Sequence, residues 1–158
     1  MNKLYMMIGF PGSGKTTVRN KLIKTKLKNN KDLPLLVCPD EIRASMLYSS
    51  ITGVFFDHSI ECIIWEIVPQ ILKEIIKQEK DIIYDATNLS LYNRKSIIEI
   101  FKETKYEIIG IYINTSIEEC KKRNEKRKAK VSDEVYTKMS NIFIEPSIDE
   151  GFKKIIIK

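Results

Sequence analysis

Gly9-Phe10-Pro11-Gly12-Ser13-Gly14-Lys15-Thr16 is the stretch on which the fold turns. It fits the phosphate-loop spacing G-x-x-x-x-G-K-[ST]. Ahead of it, Lys3 to Ile8 is a short apolar run that reads as a buried strand; behind it, Thr17 to Leu27 reads as a helix. Strand, glycine loop and helix are the setting this pattern needs; a Gly-rich hairpin turn has no use for the Lys-Thr pair. The glycines let the backbone turn its N–H groups around a phosphate, and the helix N-terminus adds partial positive charge. The predicted phosphate ligands are Gly12, Ser13, Gly14, Lys15, Thr16 and Thr17. Lys15 would reach the β- and γ-phosphates, and the Thr16 hydroxyl would face Mg²⁺.

The rest of the 158-residue chain sets bounds. A single domain, 1–158, is expected, with 30% charged and 43% apolar residues, as in an ordinary folded protein. The net charge of +6 favours an anionic partner without naming one. Cys38, Cys62 and Cys120 are odd in number and widely spaced, which argues against a disulfide framework or zinc site and for a reducing cytoplasm. No apolar run approaches membrane-spanning length, so no membrane association is expected.

Taken in order, the first helix buries Val18, Leu22, Ile23 and Leu27. Arg19, Lys21, Lys24, Lys26, Lys28 and Lys31 read as its solvated face and the following turn. Leu33 to Val37 is a second strand, ending at Cys38-Pro39-Asp40-Glu41-Ile42-Arg43. Ligands sit at the carboxyl ends of strands in open α/β sheets, which puts Asp40 and Arg43 where a site would be. Asp40 as a helix N-cap and Arg43 as its local ion partner is the competing reading. Ser49 to Asp57 reads as a loop, with His58 as a capping or surface residue. A long helix follows, with Ile60, Ile63, Ile64, Ile67, Ile71, Leu72 and Ile75 at helical spacing and Pro69 inside it.

Asp81 to Asp85 is a third strand ending in a carboxylate, then Ala86-Thr87-Asn88. Such an acid often serves Mg²⁺ in phosphate-loop proteins. Ser90 caps a helix burying Ile97, Ile98 and Phe101, and its first turns place Asn93, Arg94 and Lys95 towards a cleft. Tyr106 to Ile113 is a fourth strand, and Ser116-Ile117-Glu118-Glu119 opens another helix with a capping box. Arg123 and Arg127, four apart in a lysine-rich stretch, would share one helical face and repel unless an anion lies between them. Ser132 caps a last helix with Val135, Met139, Ile142 and Phe143, and Lys153 to Ile157 closes the sheet. Alternating strands and helices imply a parallel sheet covered on both faces.

GFPGSGKTT, PDEIR, YDATN, KKRNEKR, VSDEVYTKM and EGFKKIIIK, in that order over nearly the whole chain, resemble the kinase domain of the polynucleotide 5′-hydroxyl kinases. The resemblance implies a phosphate-loop kinase fold with sheet order 2-3-1-4-5 and a small helical lid around 121–134. It implies ATP or another nucleoside triphosphate with Mg²⁺ as donor, and a DNA or RNA 5′-hydroxyl end as acceptor. It implies that Asp40 is the general base, that Arg43, with Asp85 and Asn88, binds the acceptor, that Asp40 or Asp85 serves the metal through water, and that Arg123 and Arg127 hold the donor phosphates. No phosphatase or ligase signature accompanies them. A kinase of a small hydroxylated metabolite or nucleotide-sugar, and a nucleotide-binding switch, are the alternative readings.

Overall fold

The computed structural model describes residues 1–29 and 32–158; Lys31 lies outside the described residues. Five strands form one parallel sheet: β1 (Lys3–Ile8), β2 (Leu35–Val37), β3 (Ile82–Asp85), β4 (Glu107–Tyr112) and β5 (Lys154–Ile157). Their order is β2-β3-β1-β4-β5, as the resemblance implies. β1 lies at the centre, with Tyr5 opposite Ile83 on one side and Ile109 on the other. The sheet therefore ends in the two edge strands β2 and β5.

Residues along β1 alternate between two apolar layers, as the period-2 side-chain direction requires. Leu4, Met6 and Ile8 pack with Ile64, Val68 and Leu72 of α4 (His58–Ile76) and Ile97 and Phe101 of α5 (Leu91–Phe101). Met7 packs on the opposite face, where Tyr5 joins it, against Val18, Leu22 and Ile23 of α1 (Lys15–Lys28). The helix α4 runs unbroken through Pro69, and its buried stripe is Ile64, Val68 and Leu72; Ile63 is exposed. Asp57, not His58, caps it, accepting from the Ser59 N–H at 2.8 Å.

Several local expectations are corrected. Cys38 is the N-cap of α2 (Pro39–Met46), so Asp40 is a first-turn residue and not the cap. Part of the predicted 49–57 loop is the short helix α3 (Ser49–Thr52). Ser116 caps α6 (Ile117–Asn124) at the Glu119 N–H, but the Glu119 carboxylate turns to Arg123 instead of closing the box. Ser90 caps α5 and Ser132 caps α7 (Asp133–Ile142), as expected. Lys26 is buried, not solvated; it pairs with Asp81, whose other oxygen accepts from the Lys3 N–H at 2.7 Å. One acid thus ties the starts of β1 and β3 to the end of α1.

Arg94 does not face a cleft. It is fully buried, with Nε and Nη2 donating to the Glu150 carboxylate at 2.6 and 2.7 Å and Nη1 donating to the carbonyls of Asn88 and Leu89. Glu150 closes the 3-10 turn Ile148–Glu150 that precedes β5. Removing one partner of such a pair leaves an uncompensated buried charge, at a cost of about 3–5 kcal/mol. Arg94→Met should lower stability by that order in urea unfolding, and exchanging Glu150 for Met as well should recover part of the loss.

Candidate active site

The turn from β1 into α1 gathers its partners from elsewhere in the chain. Gly9 N–H donates to the Thr87 carbonyl at 3.0 Å, Thr115 Oγ1 to the Ser13 carbonyl at 2.9 Å, and Tyr136 Oη to the Pro11 carbonyl at 2.8 Å. Gly12 has φ +78°, and a methyl group there would collide with the Cys120 carbonyl oxygen of α6. Gly14 caps α1 at φ +105° with no side-chain cap. The first N–H groups of α1 therefore lack an intrahelical or capping partner, the arrangement that receives an anion. Thr16 and Thr17, in that first turn, are exposed.

Lys15 folds back over the loop. Its Nζ donates to the carbonyls of Gly9 and Phe10 at 2.8 and 2.9 Å. Its pKa is lowered to about 8, chiefly by burial and also by the positive field of Arg127, against the opposing pull of Asp85 and Asp40. Two polar atoms, Ser13 Oγ and Arg127 Nη1, are buried with no hydrogen-bond partner among the described residues. Orphaned donors cost about 1–3 kcal/mol each, so they mark a place where a ligand would complete the bonding. The open first turn, the lysine and the orphaned guanidinium together fit the phosphates of a nucleotide. Among the described residues no cluster of three or more His, Cys, Asp or Glu offers a metal cage. A cation here would be shared between a bound phosphate and the Thr16 hydroxyl.

Asp85, at the end of β3, is buried; burial raises its pKa, and Lys15 and Arg19 oppose the rise. Arg19 was expected on a solvated face and is instead buried. Its Nη1 bridges Asp85 at 3.0 Å and Glu41 at 2.7 Å. Arg43 is also buried. Its Nε and Nη2 donate to the two oxygens of Glu61, and its Nη1 to Asp40 Oδ1 at 2.6 Å. The local ion pair expected of Asp40 and Arg43 is therefore formed, while the Asp40 side chain stays 80% exposed. Asp40 lies in the first turn of α2, just past the carboxyl end of β2, on the same edge of the parallel sheet as the glycine turn after β1. Phe56, 53% exposed, lies with its ring 5.7 Å from the Arg43 guanidinium carbon.

Asn88 lies inside the protein. It is 2% exposed, sits at φ +49°, and its Nδ2 donates to the Met7 carbonyl at 2.7 Å, bracing β1 and not lining the cleft. Arg123 lies on α6, its Nη1 donating to the Ser13 carbonyl at 3.3 Å. Arg127 does not share its helical face: α6 ends at Asn124, and Arg127 enters from the loop beyond. The residues that sequence reading missed are Arg19, Glu41 and Glu61. The first-turn acid Glu41 was a visible signal, but its partner is not local. Two open surface recesses lie along α6 and its following loop and along α2. One of about 460 Å³ includes Lys121, Asn124 and Lys130; one of about 360 Å³ includes Cys38, Glu41 and Met46.

Sheet order, glycine turn and paired lysine together define a phosphate-loop kinase fold. The chain belongs to the AAA domain family, whose profile matches residues 4–146. It is 27% identical over 143 residues to the L-seryl-tRNA(Sec) kinase of Methanococcus maripaludis, covering 90% of this chain and 53% of that protein. Among solved structures it is similar, at 25% identity and a TM-score of 0.68, to a chain of the Pnkp1/Rnl/Hen1 RNA repair complex, covering 87% of this chain and 42% of that one. Chaetomium thermophilum Kti12 in complex with ADP-AlF3 shares the fold at 13% identity and a TM-score of 0.71, covering 98% of this chain and 88% of that one. The chain thus spans about half the length of the first two. No helix among the described residues is long and apolar enough to cross a membrane.

The lysine makes nucleotide binding proton-linked. Phosphate beside Lys15 favours its ammonium form, so its pKa rises on binding. Affinity for ADP should be flat below about pH 8 and fall as pH rises above it. Calorimetry in buffers of different ionisation enthalpy should show proton uptake on binding above that pH, and Lys15→Met should abolish it.

Proposed function

We propose that this protein transfers the γ-phosphoryl group of ATP, or another nucleoside triphosphate, to the 5′-hydroxyl end of a DNA or RNA strand. The observation that carries the proposal is the placing of Asp40. This exposed carboxylate, paired with the buried Arg43, stands past the carboxyl end of β2, on the sheet edge where the glycine turn after β1 also opens, and this supports its reading as the base. Likeness to a chain of an RNA repair complex and to a tRNA-linked kinase favours an acceptor hydroxyl carried on nucleic acid.

In this reading Gly12, Ser13, Gly14, Lys15, Thr16 and Thr17 hold the donor phosphates. The Thr16 hydroxyl, with Asp85 or Asp40 through water, would hold Mg²⁺, which would supply neutralisation of phosphate charge. Asp40 accepts the proton of the attacking hydroxyl as the new O–P bond forms and the β–γ bridging bond breaks. Lys15, Arg123 and Arg127 stabilise charge on the transferred group. Of the five N–H donors of Arg43, three are engaged by Glu61 and Asp40, leaving two for an acceptor phosphate. Phe56, beside it, offers a ring on which a terminal base can stack. The 121–134 segment acts as the lid.

One observation favours a second reading, a kinase of a small hydroxylated acceptor. From Leu33 to Leu72 there is no lysine, Arg43 is the single arginine, and Asp40, Glu41, Asp57, Glu61 and Glu66 are acidic. This wall offers no track for a run of phosphates.

Incubation with γ-labelled ATP, Mg²⁺ and matched 5′-hydroxyl oligonucleotides of DNA and RNA should place label on the ends. Label on neither, with turnover on a small sugar or nucleoside, would select the second reading. Asp40→Asn should keep ADP binding and lower transfer by about 10²–10⁴-fold. Arg43→Lys should also fail, since a lysine cannot replace the guanidinium fork between Glu61, Asp40 and a phosphate. Raising salt should weaken a polynucleotide acceptor steeply and a small acceptor little.

A further inference from the structure

Asn124 ends α6 and is buried, although nothing in the donor reading uses it. Its side chain makes two bonds to one residue seven positions on. Nδ2 donates to the Val131 carbonyl at 2.7 Å, and Oδ1 accepts from the Val131 N–H at 3.0 Å. The pair closes residues 125–130 into a loop. That loop carries Lys126, Arg127, Lys128 and Lys130 against the single acid Glu125. So many like charges push a free segment apart and extend it. Here the ends are held: Val131 packs with Phe10, Cys120 and Tyr136, the last of which bonds the phosphate loop. Inside the closed loop the Arg127 N–H donates to the Asn124 carbonyl at 3.0 Å. Lys126, Lys128 and Lys130 are exposed; Arg127 alone of the four is drawn inward, its Nη1 buried and without a partner among the described residues.

We propose that Asn124 is the positioning residue for Arg127, its carboxamide clamp on Val131 bracing the basic loop so that the guanidinium enters the cleft ready for the transferred phosphoryl group. The proposal rests on the reading of Arg127 as a donor-phosphate ligand. The clamp does its work before any ligand arrives, so the arginine need not be ordered at the moment of reaction. A displacement of about 1 Å at such a group costs about 10²-fold.

The test compares binding of Mg²⁺–ADP with that of Mg²⁺–ADP plus aluminium fluoride, a mimic of the transferred phosphoryl. Wild type should bind the fluoride complex far more tightly than ADP. Arg127→Ala should lose most of that gain; if it keeps the gain, the reading of Arg127 falls, whatever Asn124 does. Given that loss, Asn124→Ala should lose at least tenfold of the same gain while ADP affinity changes less than about twofold. The double variant should match Arg127→Ala alone, because the two residues act as one unit. Full gain in Asn124→Ala, or losses that multiply in the double variant, would overturn the proposal. Thermal unfolding checks that the variants are folded. Should Asn124→Ala not fold, Asn124→Asp decides. It keeps the Val131 N–H bond but sets a carboxylate oxygen against the Val131 carbonyl, so it should lose the gain, and an undiminished gain would refute the clamp.

Discussion

The glycine turn after β1 is held by three hydrogen bonds and one close backbone approach, each from a different part of the chain. Thr87 holds Gly9, Thr115 holds Ser13, Tyr136 holds Pro11, and the Cys120 carbonyl fills the space a side chain at Gly12 would need. None of these contacts lies within the turn. The backbone therefore keeps its positive-φ conformation and its outward N–H groups only if the β3 terminus, the β4–α6 connection and α7 are all seated. The small apolar cluster of Phe10, Leu89, Cys120 and Tyr136 is where those elements meet.

Charge is organised around the same turn as two relays. Arg19 joins Glu41 to Asp85 on the nucleotide side, and Arg43 joins Asp40 to Glu61 on the opposite wall. Asp40 and Glu41 are neighbours in the first turn of α2, so one short helix end feeds both relays. Each arginine is buried while its α2 partner is exposed. The rigid part of each pair is thus the cation, and the carboxylate remains open to the cleft.

The strands were legible because a buried parallel strand is a short apolar run with a turn at its end. β1, β3 and β5 fall within a residue of their expected limits. The glycine turn was legible from spacing alone, and the sheet order followed from resemblance. What escaped was pairing at a distance. Arg19 and Lys26 look like surface cations, and Arg94 like a cleft residue, because their acids, Asp85, Asp81 and Glu150, lie 66, 55 and 56 residues away. The end of α6 escaped for a similar reason. No glycine or proline marks it; the Asn124 side chain and Val131 backbone do, and that pairing exists only in the folded chain. Asn88 was misplaced because a polar residue beside a site can brace the scaffold just as well as face the ligand.

The outermost strand has a consequence for how the molecule behaves in a crowd. β5 is an edge strand: Ile155 and Ile156 pack into the two faces of the sheet, while Ile157 is 59% exposed. A bare rim of this kind invites another chain to add its own strand. Lys153, Lys154 and Lys158 bracket the three isoleucines, and an approaching copy would have to bring its own lysines beside them. This mutual repulsion guards the rim against fibrous stacking, a safeguard that weakens wherever high salt or a polyanion masks those charges.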